Sequence, residues 1–199
     1  HARGATDELI PEVATRVALL HGAATPQELS DGVVLWCFLD RMLEHIASAP
    51  EALPDGVSLA QLQGEAARMR EAFEALQLPV VNGHGDLKPS NVMSGEAIHL
   101  IDFELAGAHF RGYDLFKLFR TSQAAPSASN REAFLRSYAR ATPAELRGGP
   151  ASIELLQAET AVFEPLSWLE AAVFFFFAIR EFPEEAPRWE ELAAHRGGK

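Results

Sequence analysis

The stretch His84-Gly85-Asp86-Leu87-Lys88-Pro89-Ser90-Asn91 sets a carboxylate, an amine and an amide within one run of turn-forming residues. A short apolar segment follows, and Ile101-Asp102-Phe103-Glu104 closes it with a second carboxylate. Residues of these types in this order suit transfer of a phosphoryl group. That reaction needs an oriented hydroxyl nucleophile and cations that neutralise charge on the moving group. Asp86 can accept the proton of an attacking alcohol. Asn91 and Asp102 offer hard oxygen ligands to Mg²⁺, which takes a few such oxygens and completes its shell with water and phosphate. Lys88 can reach a phosphate oxygen as a point charge. A plain surface turn would account for the first stretch, but it gives no reason for Asp-Phe-Glu at the end of an apolar strand.

The flanking segments must hold these groups in place. Val80-Val81 reads as a short strand entering the loop, and Val92-Met93 with Ile98 to Ile101 as a hairpin around Ser94-Gly95-Glu96. Such a hairpin puts Asn91 at one end and Asp102 at the other, facing one metal cluster. Three helices come first. Asp7 to Leu20 carries Ile10, Val13, Val17 and Leu20 on one face, and Val34 to Ile46 turns Leu35, Phe38, Met42 and Ile46 inward. The third opens on the capping box Ser58-Leu59-Ala60-Gln61, has the stripe Leu59, Leu62, Ala66, Met69, Phe73 and Leu76, and ends at Pro79. Beyond the site, Tyr113 to Thr121, Arg131 to Ala139 and Ile153 to Arg180 read as helical, the last restarting at Pro165. A final helix carries Trp189 and Leu192. The chain is thus α+β and mostly α, with a few short strands gathered at the site.

Composition narrows the field. Nearly half the residues are hydrophobic, which marks a folded chain rather than a disordered one. A formal charge of −11 disfavours nucleic acid or an anionic membrane as partner, because both need a basic face. The single cysteine, Cys37, excludes an internal disulfide framework and fits a reducing, cytoplasmic setting. Between Trp36 and Phe38 it is expected to be a buried small hydrophobe. The longest apolar run, Ala171 to Ile179, falls far short of the roughly 20 residues a transmembrane helix needs. No secretory leader is visible.

The loop matches the pattern H-x-D-L-x-x-x-N of protein kinases, with Gly85 where those enzymes carry Arg. Ile101-Asp102-Phe103-Glu104 followed by Arg111-Gly112-Tyr113-Asp114 resembles the choline/ethanolamine kinase signature, in which I-D-F-E precedes R-G-F-D at this spacing. Leu9 to His21 is similar to the first helix of the large lobe of those enzymes. The resemblance implies the protein-kinase-like fold of the aminoglycoside phosphotransferase and choline kinase superfamily, with ATP and Mg²⁺ as cofactors. It implies Asp86 as catalytic base and Asn91 and Asp102 as magnesium ligands. Asp114 would brace the loop by accepting its backbone N–H groups, and His84 would pack and orient it. Gly85 implies no phosphorylation switch of the kind that Arg reads. Protein-kinase activity is not expected, since no A-P-E follows Asp102.

Parts of that family pattern are missing from the chain. It carries no glycine-rich phosphate loop, no strand lysine and no partner glutamate. Residues 1–199 therefore read as one C-terminal, substrate-side lobe, with the nucleotide lobe upstream of His1. Leu105 stands where the family usually places Tyr, and Thr121 where it places an acidic residue. The substrate-pocket candidates are Glu104, Leu105, Thr121, Trp168 and Glu170, with the run Phe174 to Phe177 either lining a pocket or buried on all sides. The leading expectation is phosphorylation of a cationic amino alcohol, ethanolamine or choline, which opens phospholipid head-group synthesis. A kinase of the same fold acting on an aminoglycoside or a sugar-like metabolite is the alternative, and a catalytically idle scaffold the third. A homodimer is compatible with all three.

Overall fold

The computed structural model describes residues 9–23, 32–49, 53, 56–120, 127–143, 152–188 and 191. Its contacts divide the chain into two units, His1–Leu35 with Leu78–Phe163 and Trp36–Gln77 with Glu164–Lys199. In chain order the elements are α1 (Ile10–Gly22), α2 (Val34–Ala47), α3 (Leu59–Leu76), β1 (Val80–Gly83), β2 (Val92–Ser94), β3 (Ile98–Leu100), β4 (Gly107–Phe110), α4 (Arg111–Arg120), α5 (Ala128–Ala141), α6 (Ile153–Ala161) and α7 (Phe163–Glu181). A 3-10 turn over Pro89–Asn91 separates the loop from β2.

The first unit is built on α1. Its buried face is Val13, Ala14, Val17, Ala18 and His21, so the stripe sits slightly off the expected one and Ile10 and Leu20 are only half-buried. That face packs against α5, β1 and β3, while α4 packs on α6 and on the β1–β4 pair. Leu87, Val92, Ile98, Leu115, Phe119, Phe134 and Leu156 fill the space between them. Removing such apolar area from water is the main stabilising term.

Two antiparallel pairs frame the loop. β2 and β3 form the expected hairpin, Val92 opposite Leu100 and Ser94 opposite Ile98. β1 pairs with β4, Val80 opposite Phe110 and Gly83 opposite Gly107. Strand β4 was not legible: Gly-Ala-His-Phe has no alternation, because all four residues are buried. Gly107 is required there, since a Cβ would lie 2.7 Å from Val34 Cγ2.

The second unit contains α3 and most of α2 and α7. The capping box forms as read, with Ser58 Oγ accepting from Gln61 N and Gln61 Oε1 from Ser58 N. Leu62, Ala66 and Phe73 are buried, but Leu76 is 50% exposed because the helix ends in a left-handed turn at Gln77. Trp36 meets Phe73 edge-on at 5.9 Å, and Arg70 covers the Trp36 ring while binding both Asp40 oxygens at 2.8 Å. Cys37 is exposed, contrary to expectation. Helix α2 turns Leu35, Trp36, Leu39, Met42, Leu43 and Ile46 inward, which leaves Cys37 on the far side and Phe38 half-buried.

The expected restart near Pro165 is a break at Val162 between α6 and α7. Taken together, Ile153–Glu181 is long and apolar enough to cross a membrane by length and composition, a longer stretch than the run Ala171 to Ile179. Within it Leu156, Phe163, Leu166, Leu169, Val173 and Ala178 are buried. In the phenylalanine run only Phe175 is fully buried, and Phe174, Phe176 and Phe177 are half-buried. Trp189 and Leu192 lie outside the described residues.

Candidate active site

The loop after β1 is held from both sides. Beneath it, α4 presents Asp114, whose Oδ2 accepts from His84 N at 2.6 Å and Oδ1 from Gly85 N at 2.9 Å. Above it, His84 Nε2 donates to the Ile101 carbonyl at 2.9 Å, and Ile101 N donates to the Asn91 carbonyl at 3.0 Å. The loop therefore grips the residue immediately before Asp102 at two points. The His84 ring lies against Phe103, centroids 4.8 Å apart.

Asp114 is fully buried, and burial alone would raise its pKa. The His21 hydrogen bond at 3.1 Å and its charge, the charge of His109, and the His84 N–H outweigh that and hold the carboxyl at about 2. His21 is fixed in turn by the Tyr138 hydroxyl, 2.8 Å from Nδ1. Burial pushes the Tyr138 phenol up, so it remains a hydroxyl. A polar chain thus runs from α5 through α1 and α4 to the loop backbone.

Asp86 is partly exposed and faces two ammonium groups. Lys88 Nζ lies 2.5 Å from Oδ2, and Lys117 Nζ 3.8 Å from Oδ1. Asn91 is buried, and its Nδ2 donates to the Asp86 carbonyl at 3.0 Å, which turns Oδ1 the other way. Among the described residues, that Oδ1 receives only a long 3.5 Å contact from the Ser90 hydroxyl. Asp102 sits at φ 70°, an uncommon conformation for a side-chain-bearing residue, and such conformations concentrate at functional sites. Its carboxylate is exposed and has no hydrogen bond or ion pair among the described residues. Also among these residues, no three His, Cys, Asp or Glu side chains gather as a metal cluster. An amide oxygen and a carboxylate are each hard donors of the kind Mg²⁺ uses when it keeps water and phosphate in its shell.

Residues 5–186 match the family model described as choline/ethanolamine kinase. The chain belongs to the choline/ethanolamine kinase family. It is 27% identical over 114 residues to a human choline/ethanolamine kinase, covering 52% of this chain and 28% of the relative. Its fold is that of an ethanolamine kinase from Plasmodium vivax, with TM-score 0.69 and 16% identity over 87% of this chain and 54% of the other. The choline kinase LicA of Streptococcus pneumoniae shares it too, with TM-score 0.64 and 15% identity over 95% and 63%. LicA has also been solved in complex with AMP. The chain spans less than two thirds of the length of these relatives.

In this chain the R-G-Y-D segment has work beyond Asp114. Arg111 makes a buried, two-pronged ion pair with Glu159 of α6, at 2.9 Å (Nε to Oε2) and 2.6 Å (Nη2 to Oε1). Gly112 lets α4 approach α6, since a Cβ would lie 2.5 Å from the Glu159 carbonyl oxygen. His21, Tyr138, Lys117 and Glu159 were not singled out from the sequence. Each is distant in the chain from the site residue it reaches: His21 from Asp114, Tyr138 from His21, Lys117 from Asp86 and Glu159 from Arg111. Of the pocket candidates, Glu104 is exposed and Leu105 half-buried, with the Leu105 carbonyl accepting from His109 Nε2 at 2.8 Å. Trp168 is 41% exposed and Glu170 half-buried on α7, in the second unit. Thr121 lies outside the described residues.

Gly85 is enforced by geometry. Its φ is +81°, and a Cβ would collide with the Leu105 carbonyl oxygen and lie 2.7 Å from His109 Nε2. An arginine has no room there. Gly85→Ala is expected to lose about 2 kcal/mol or more, from left-handed strain alone plus the collision. Turnover should fall at least about tenfold as the loop shifts. Urea unfolding and steady-state kinetics on the full-length variant check both.

Proposed function

We propose that this chain is the substrate-side lobe of an ATP- and Mg²⁺-dependent kinase that phosphorylates the hydroxyl of an amino alcohol, ethanolamine or choline. Asp86 is the observation that carries the reading: a partly exposed carboxylate on a loop fixed through Asp114, in a chain of this family. In this reading a second lobe binds the nucleotide. The AMP complex of LicA supports a nucleotide as phosphoryl donor.

In this reading Asp86 orients the acceptor hydroxyl and takes its proton, a role worth about 100- to 10,000-fold in rate. Asn91 and Asp102 would hold Mg²⁺, which would neutralise charge on the donor's phosphates. Asp114, His21 and Tyr138 keep the loop in register so that Asp86 meets the hydroxyl without searching. The exposed Glu104 and the net charge of −11 favour a cationic acceptor.

The test is a panel of ethanolamine, choline, aminoglycosides and simple sugars, each with ATP and Mg²⁺ and the full-length protein. Turnover of ethanolamine or choline is expected, and turnover confined to another acceptor would overturn the substrate assignment. Residues 1–199 alone should bind ATP weakly and turn over little. Sustained multiple turnover by them would refute the two-lobe requirement.

A further inference from the structure

The two oxygens of Asp86 are not equivalent. Oδ2 is taken by Lys88 at 2.5 Å, a full hydrogen bond. Oδ1 faces Lys117 at 3.8 Å, too far for a hydrogen bond but close enough for strong attraction. Lys117 is no loose surface lysine: its side chain is 16% exposed and its ammonium lies 5.5 Å from the centre of the Tyr113 ring. It stands one helical turn beyond Asp114 on α4, so both project from the same side of one helix. Helix α4 thus reaches the loop twice, through Asp114 to its backbone and through Lys117 to its carboxylate.

From this geometry, and resting on the phosphotransfer reading above, we infer that Asp86 Oδ1 is the proton-accepting oxygen and Lys117 a further catalytic residue, which passes its charge from Asp86 to the transferred phosphoryl group. The acceptor hydroxyl binds Oδ1 from the side, next to Lys117. Its proton goes to Oδ1 as its oxygen bonds the γ-phosphorus of the nucleoside triphosphate. The bond from that phosphorus to the bridging oxygen breaks, and its electron pair leaves with the nucleoside diphosphate. Asp86 becomes neutral in this step. Lys117, which had balanced the carboxylate, then faces a phosphoryl group that has just gained a bond to the neighbouring oxygen. Preorganised charge of this kind acts where charge develops and needs no reorganisation. Lys88, bonded to Oδ2, holds the carboxylate in orientation throughout.

The experiment compares Lys117→Met and Lys117→Arg with the wild type in the full-length protein. Lys117→Met is expected to lower kcat about 10- to 100-fold with the acceptor KM within about threefold. Lys117→Arg should recover kcat to within about fivefold of wild type, since it keeps the charge. Wild-type kcat in Lys117→Met would overturn the assignment, and so would Lys117→Arg being no better than Lys117→Met. Binding of inorganic phosphate, followed by NMR titration, needs no turnover. It should weaken at least about fivefold in Lys117→Met, and equal affinity would overturn the assignment. If the wild type phosphorylates no acceptor, the proposed function falls and the phosphate titration alone decides the place of Lys117.

Discussion

Asp114→Ala loses about 3–5 kcal/mol of folding stability, the range for stripping one partner from a buried charged network. The carboxylate leaves behind two loop N–H groups and the His21 ring, none of which has water to turn to. Turnover should fall at least about 100-fold, because a loop freed from its anchor misplaces Asp86. Asp114→Asn separates shape from charge. The wild-type carboxyl has its pKa lowered from 3.8 to about 2, so its contribution is present above pH 3.8 and lost as pH falls from there through about 2. That contribution is about 2 kcal/mol by linkage. Urea unfolding between pH 6 and pH 2 should show the wild type losing about that much more than Asp114→Asn. Parallel pH curves would mean that the carboxylate is not held ionised by His21 and the loop.

Glu159→Ala has the second large effect. It strands Arg111, 1% exposed, without its counter-charge, at a cost of about 3–5 kcal/mol. Arg111 Nη1 already lacks a partner among the described residues, so the intact pair is imperfectly satisfied. Replacing both partners by apolar residues, Arg111→Met with Glu159→Leu, should therefore recover most of the stability. Denaturant midpoints of the wild type, the single variant and the pair read this directly, and a double variant no better than Glu159→Ala would contradict it. The pair ties α4 to α6, so turnover in the double variant also reports how far the position of Asp114 and Lys117 depends on it.

What the sequence disclosed and what it hid divide along physical lines. The hairpin β2–β3 and the capping box of α3 are local, set by neighbours a few residues apart, and both formed where turn and cap chemistry put them. Asp86, Asn91 and Asp102 stood out because a loop and a strand end fix their spacing along the chain. Strand β4 was hidden because its partner β1 is remote in sequence and all its residues are buried. Periodicity fixed that α2 is a helix but left its rotation open, and Cys37 faces solvent as a result. His21, Tyr138 and Glu159 reach their partners only after α1, α4, α5 and α6 pack. Their signal in the sequence was faint: one histidine ending an apolar helix, one tyrosine and one glutamate in helices that could have used either face.

The most direct measurement is transfer of the γ-phosphate of ATP to ethanolamine or choline by the full-length protein, wild type against Asp86→Asn. This substitution keeps the side chain's shape and removes its capacity to take a proton. The account predicts transfer by the wild type and a loss of about 100-fold or more in kcat for Asp86→Asn, with folding stability unchanged or raised. Equal rates in the two proteins would contradict it, and would move the chemistry away from the loop that the rest of the first unit holds in place.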